Sequence, residues 1–350
     1  MPTRNGRATL ATVAASAGVS VATVSKVLNG RTDVAPETRA LVQTLLKKHE
    51  YTARRAPTAH SGAATAVVEL VFAGDLNAYS TEIIQGVSDA AAEVGVSVAL
   101  SVRTHPRNTA TQRPATWARD LAAGGRRAVI AVVNHLIAAD LAALARVRLP
   151  LVVIDPLNVP HARVTSVGST NFAGGLAATQ HLLGLGHRRI AYVGGPATAA
   201  CNQARMHGYR AAMEDAGAAV HDGYVRTGRF RYQDGVVGGA ALLELPQPPT
   251  AVFAGSDETA AGVIESVRAR GLRVPEDMSV VGFDDTQVAR FASPPLTTIR
   301  QPLQDMGGVA LRAALRLANG EKLDSHHVEL ATELVVRRST APPPAPTAAP

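Results

Sequence analysis

The 350-residue chain has a single cysteine, Cys201, so no disulfide framework can form within it, which agrees with a reducing compartment. Aromatic residues make up only 4% of the sequence; the alanine, glycine and arginine that replace them carry no mechanistic information. No run of about 18 or more apolar residues occurs, because Gly, Asp, Asn or Arg interrupts each one, and no membrane-spanning helix is expected. The first residues, MPTRNGRATLATVAASAG, are basic but lack the apolar stretch of a secretory signal, so a cytoplasmic location is expected. The glycine segments GGP and FAGG lack the spacing of a phosphate loop or a dinucleotide fingerprint. Eleven histidines are scattered along the chain, and the adjacent pair His326-His327 cannot by itself make a metal site. No motif ties together a Ser/His/Asp or Cys/His set. An enzyme is therefore the weaker reading, and no catalytic residue, metal or cofactor is expected.

What is present is apolar material for a large core, 46% of residues, in a chain long enough for about two or three domains. The formal charge of +7 is unevenly placed: residues 1–60 hold nine Lys/Arg and three Asp/Glu, while the remainder is close to neutral. A small basic module on a neutral body is the electrostatic outline of a protein that meets nucleic acid at one end.

Residues 9–50 read as three short helices. Thr9 is placed to cap the first, with Leu10, Val13, Ala14 and Ala17 at helical spacing, and Gly18 breaks it. Ser20 caps a second with Val21, Val24, Val27 and Leu28 apolar, ended by Asn29-Gly30. A third starts near Pro36-Glu37 and carries Leu41, Val42, Leu45 and Leu46 on one face. Two helices joined by a short glycine-containing turn and braced by a third make a helix-turn-helix. The polar face of the second helix suits a major groove, and Lys26 can reach guanine O6 and N7.

Residues 52–65 lack periodicity and read as a linker. Beyond them, strand-like runs at Val67–Ala73, Val96–Val102, Ala128–Val133, Leu151–Asp155, Arg189–Gly194, Thr250–Ala254, Ser279–Asp284 and Leu296–Arg300 alternate with amphipathic segments such as Tyr79–Val94, Phe172–Leu185 and Glu258–Arg270. That rhythm implies parallel sheets covered on both faces, in two α/β lobes. The expected domains are a headpiece over 1–56, a hinge linker over 57–65, a two-lobed effector-binding and dimerisation domain over 66–340, and a disordered proline-rich tail over 341–350.

TLATVAASAGVSVATVSKVLNG resembles the headpiece of the LacI family of bacterial repressors. HLLGLGHRRIAYVGGP, ARMHGYRAAM, FAGSDETAAGV, VPEDMSVVGFDD and PPLTTIRQP resemble that family's sensor domain, in the family's order. The resemblance implies an all-α helix-turn-helix headpiece joined to a periplasmic-binding-protein-like (type I) α/β sensor. It also implies a homodimer on a pseudo-palindromic double-stranded DNA operator, and a small-molecule effector, a mono- or disaccharide, controlling a repressor. By position, Val21, Ala22 and Lys26 match base-reading residues, and Ser20, Thr23, Ser25 and Asn29 match phosphate contacts. Arg205 matches the ligand-gripping arginine. Asp284, Asp155, Tyr79 and Cys201 match other cleft positions, and the strand-end aspartates lie where open α/β sheets bind ligands. Ser256-Asp257 and Thr170-Asn171 depart from the family's usual pairs. A sugar-binding transport protein shares the sensor fold but would need a signal sequence and no basic module. An activator or ligand-independent regulator on the same fold is the remaining alternative.

The hinge departs from the family's leucine-wedge pattern: Pro57 falls inside the expected helix and His60 takes the leucine's place. A proline within a helix costs about 3 kcal/mol, and histidine is a poor apolar wedge. Arg54 and Arg55 are expected along phosphates or in a narrow minor groove, with little bending of the operator.

Overall fold

The computed structural model describes residues 10–28, 34–48, 66–103, 113–132, 136–156 and 164–344. The chain separates into two units, residues 1–64 and 65–350. Thr9, Asn29, Gly30, Arg54, Arg55, Pro57 and His60 lie outside the described residues.

The first unit contains helices α1 (Leu10–Ala17), α2 (Val21–Leu28) and α3 (Pro36–Lys48). Val13, Ala14, Val24, Val27 and Val42 form their buried centre, with Leu10, Ala17, Leu45 and Leu46 packed around it. Gly18 ends α1 at φ +65°, a conformation that costs glycine little, and Val19 N–H then bonds back to Ala14 O at 3.1 Å. One expected core position is corrected, since Leu41 is 48% exposed; Val21, which stands both in the apolar stripe and at a position matched to base reading, is 47% exposed. Three helices this short cannot enclose the whole of each apolar stripe, and the flank of the stripe stays outside.

The second unit is built on two six-stranded sheets. In the N-lobe, β1 (Val67–Ala73), β2 (Ser97–Arg103), β3 (Arg126–Val132), β4 (Leu151–Ile154) and β5 (Thr165–Ser169) alternate with α4 (Ala78–Glu93), α5 (Pro114–Ala123) and α6 (Ala138–Arg146). The chain then passes to the C-lobe, giving α7 (Asn171–Gly184), β6 (Ile190–Val193), α8 (Ala200–Asp215), β7 (Val225–Arg226), α9 (Tyr232–Leu243), β8 (Ala251–Ala254), α10 (Asp257–Arg268), β9 (Ser279–Asp284), α11 (Gln287–Phe291) and β10 (Thr297–Arg300). It returns for α12 (Leu303–Ala318) and β11 (His327–Leu330), and crosses once more to β12 (Glu333–Val335). The sheet orders are β11-β5-β4-β3-β1-β2 and β12-β10-β9-β8-β6-β7. Every pairing is parallel except that of β10 with β12. The eight expected strands are all present within a residue or two at their ends, and β5, β7, β11 and β12 are additional.

Each lobe has its own core. Val68, Leu70, Ile130 and Ile154 pack beneath Ile83 and Val87 of α4 and Met306 and Leu311 of α12. Tyr192, Phe253 and Phe283 pack with Tyr209 and Met213 of α8, and each such side chain contributes about 1.5–3 kcal/mol by leaving water. Three segments join the lobes, those between β5 and α7, β10 and α12, and β11 and β12.

The tail expected to be disordered from residue 341 is held at its first residue. Ala341 O accepts from His187 Nε2 at 2.9 Å and from Ser279 Oγ at 3.0 Å, and Ala341 N–H donates to Ser279 Oγ. His187 is 1% exposed, and a buried imidazole needs such partners; proline-rich composition says nothing about that demand. Residues 345–350 lie outside the described residues.

Candidate functional site

The five sensor residues singled out in the sequence come from four elements, and the fold brings them together. Asp155 directly follows β4, Asp284 ends β9, Tyr79 lies in the first turn of α4, and Cys201 and Arg205 lie one turn apart on α8. All sit beyond the carboxyl ends of parallel strands. Asp155 and Asp284 adopt φ +45° and +117°, left-handed backbone that a non-glycine residue holds only when its surroundings impose it.

Tyr79 Oη donates to Asp155 Oδ2 at 2.7 Å. The Arg205 guanidinium is pinned at two nitrogens: Nε donates to Asn171 Oδ1 at 2.7 Å and Nη1 to the Gly255 carbonyl at 2.6 Å. Nη1 also lies 3.8 Å from Asp284 Oδ1. The guanidinium carbon is 3.8 Å from the centre of the Phe283 ring and 5.3 Å from that of Phe230, both within cation–π range. Close helix packing sets the position of this arginine. A Cβ on Gly175 of α7 would collide with the Arg205 carbonyl, and one on Gly208 of α8 with the Phe172 carbonyl.

The electrostatics follow from burial. Asp155, Arg205 and Asp284 are 4%, 4% and 6% exposed. Burial pushes the Asp284 carboxyl well above the ordinary range, against the pull of Arg205 and Gln301. Burial also raises Asp155, against the Tyr79 bond and Arg205. The Cys201 thiol is pushed by burial up to about 11, so while buried it is neutral at neutral pH, and it reacts only when opening exposes it. Burial opposes the Arg205 charge, but Cys201, Asp284 and Asp155 outweigh it and raise the arginine further.

Among the described residues, Arg205 Nη2, Asp284 Oδ2 and Asp155 Oδ1 make no hydrogen bond to protein. Asn202, fully buried beside Cys201, accepts from Tyr192 Oη at 2.8 Å and Gly195 N–H at 2.7 Å, but its Nδ2 has no partner. One unspent arginine nitrogen and two carboxyl oxygens, bordered by aromatic rings, make a chemistry suited to several hydroxyl groups.

Three contributors had no clear signal in the sequence. Asn171, noted only as a departure from a pattern, is the direct partner of Arg205. Phe230 stands in a loop at φ +64° and packs on Cys201. Gln301 donates to Asp284 at 2.6 Å. Ser256 and Asp257 are committed elsewhere. Ser256 Oγ caps α10 by accepting from Thr259 N–H at 3.1 Å. Asp257 accepts from Thr286 N–H, Thr286 Oγ1 and Thr298 Oγ1, and burial pushes its carboxyl up to about 7.

In the first unit, Ser20 Oγ caps α2, accepting from Thr23 N–H at 3.1 Å and meeting Thr23 Oγ1 at 2.9 Å. Val21, Ala22 and Lys26 of α2 are exposed. The backbone of Ser25 belongs to the same helix.

Comparison with known proteins bears on both units. Residues 9–53 match the model of bacterial regulatory proteins of the lacI family, and residues 179–340 that of the periplasmic binding protein-like domain. The HTH-type transcriptional regulator CelR of Thermobifida fusca is 36% identical over 96% of this chain and 99% of its own. The solved complex of the transcriptional regulator CelR with cellobiose superposes with a TM-score of 0.71 at 33% identity, covering 95% of this chain and 100% of that one. A lac repressor dimer bound to operator and the anti-inducer ONPF gives 0.71 at 25% identity, covering 96% and 100%. With a helix-turn-helix headpiece, a two-lobed sensor and relatives matched from end to end, the chain belongs to the LacI family and is a DNA-binding transcriptional regulator.

Proposed function

We propose that the protein is a dimeric, cytoplasmic repressor whose operator binding is controlled by an uncharged saccharide held between the lobes. The observation that carries this reading is the pairing of Tyr79–Asp155 from one lobe with Arg205–Asp284 from the other, in one buried place. A single arginine with two of its nitrogens already bonded, beside two acidic side chains, offers no cluster of positive charge for a phosphate or carboxylate ligand. Hydroxyl groups, which both donate and accept, match Asp155, Asp284 and Arg205 together. Phe230 and Tyr79 offer ring faces to the apolar side of a sugar. The cellobiose in the CelR complex gives the first compound to try. In the headpiece, Val21, Ala22 and Lys26 read base edges, Ser20, Thr23, Ser25 and Asn29 hold phosphates, and Arg54 and Arg55 lie along phosphates or in a narrow minor groove.

The test is a thermal-shift screen of mono- and disaccharides, starting with cellobiose and repeated with genomic operator fragments present. A ligand at one hundred times its Kd adds about 2.7 kcal/mol, which moves the melting point by several degrees. A regulator of this kind shows that shift with a saccharide and an altered operator affinity in its presence. No shift with any neutral sugar, alongside a shift with a charged metabolite, would overturn the assignment.

A further inference from the structure

The cleft residues and two of the three inter-lobe connections close into one ring of four hydrogen bonds and an ion pair. Arg205 Nε donates to Asn171 Oδ1 at 2.7 Å, and Asn171 Nδ2 donates to the Ser169 carbonyl at 3.0 Å. Ser169 Oγ donates to Gln301 Oε1 at 2.5 Å, and Gln301 Nε2 donates to Asp284 Oδ1 at 2.6 Å. Asp284 Oδ1 faces Arg205 Nη1 at 3.8 Å, completing the circuit. Ser169 ends β5 and Asn171 opens α7, so they flank the first connection; Gln301 lies in the second, between β10 and α12. Ser169 and Gln301 are 1% and 3% exposed, so a change in the angle between lobes that parts them leaves two buried polar groups unpaired. The third connection is tied separately: Thr332 N–H donates to Thr170 Oγ1 at 3.0 Å, and Thr332 Oγ1 meets Thr170 Oγ1 at 3.0 Å.

We infer that Gln301, seated by Ser169, is a positioning residue that couples the opening of the lobes to Arg205 and Asp284. Gln301 need not touch the effector. It fixes the carboxylate on one side and reads the neighbouring connection on the other, so the effector's grip on Asp284 and the hinge geometry become one equilibrium. The inference rests on the cleft being the effector site only for its consequence in regulation. The ring itself is tested without any ligand.

Cys201 is the one cysteine of the chain and is buried against Phe230 and Ala199 in the same cleft, so its labelling by Ellman's reagent reports lobe opening in the full-length protein. Gln301→Leu is expected to raise the labelling rate about fivefold to tenfold, the factor one lost buried hydrogen bond makes in an opening equilibrium. Ser169→Ala is expected to act in the same direction, and decides the matter if Gln301→Leu does not fold. Thr332→Val, which breaks a hinge contact outside the ring, is expected to label at close to the parent rate. Urea midpoints measured alongside exclude global unfolding as the source. Labelling of both ring variants at the parent rate would overturn the inference. So would equal acceleration by Thr332→Val, since any loosened hinge would then suffice. In a second arm, cellobiose should slow labelling of the parent more than that of Gln301→Leu. Failure of cellobiose and every other saccharide to protect Cys201 would count against the saccharide reading and leave the ring result standing.

Discussion

Arg205 carries more contacts than any other side chain of the cleft: an amide, a carbonyl, a carboxylate and two aromatic rings. Its Nε and Nη1 are spent on the protein, which leaves Nη2 as the arm for a ligand. Arg205→Ala should therefore abolish the response to effector, weakening its binding by about 1.5–3 kcal/mol, while the free protein still binds operator. Titration of effector and of operator on the same variant checks both halves, and an unchanged effector response would place Arg205 outside the site. Asp155 and Asp284 were legible in the sequence because a residue that ends a parallel strand has its place set by the strand. Asn171, Phe230 and Gln301 were not. Asn171 meets Arg205 from a different helix, 34 positions away in the chain, and Gln301 meets Ser169 across 132 positions. Neither contact leaves a periodic trace.

At the scale of elements, α2 divides its labour by face. Val24 and Val27 are buried, which fixes the rotation of the helix and so turns Val21, Ala22 and Lys26 outward together. Lys26→Ala should weaken operator binding by about 1–3 kcal/mol and relax preference at one base pair per half-site if it reads a guanine. Binding to a panel of singly substituted operators, each titrated at several salt concentrations, separates the possibilities. A uniform loss across the panel, with the salt slope reduced by about one per contact, would reassign Lys26 to a phosphate. The face was visible in the spacing of valines. That Leu41 of α3 would stay outside was not, because the extent of burial depends on how much of a helix its partners cover.

At the scale of the molecule, the buried carboxylates make stability depend on pH in an uncommon direction. Asp257 is raised by burial to about 7 when folded, against about 3.9 in an unfolded chain. The folded state therefore binds the proton more tightly, and stability contributed by protonation is fully present below about 4 and lost as pH rises through about 7. Asp284 and Asp155, raised for the same reason, act with the same sign. The carboxyls favour a higher melting point at pH 6 than at pH 8, while His181 and His187, whose imidazoles burial pushes below their ordinary range, oppose it. Asp257→Asn, which cannot ionise but keeps an acceptor for Thr286, should flatten that slope. Asp257→Asn isolates the contribution of this carboxyl from that of the histidines, and an unaltered slope in the variant would refute the account.

The sequence by itself determined what local periodicity and composition can encode. It set the three-helix headpiece, its concentration of positive charge, the alternation of strands and helices, and the strand ends where Asp155 and Asp284 stand. Each follows from residues within a turn or two of one another. Tertiary structure decided the rest. It seated β5 and β11 side by side although 157 residues intervene between Ser169 and His327, recruited His187 to hold Ala341, and closed Arg205, Asn171, Ser169, Gln301 and Asp284 into a ring. The physical reason is that a buried polar group must find a partner wherever the chain's crossings bring one, and those crossings are set by the packing of whole lobes.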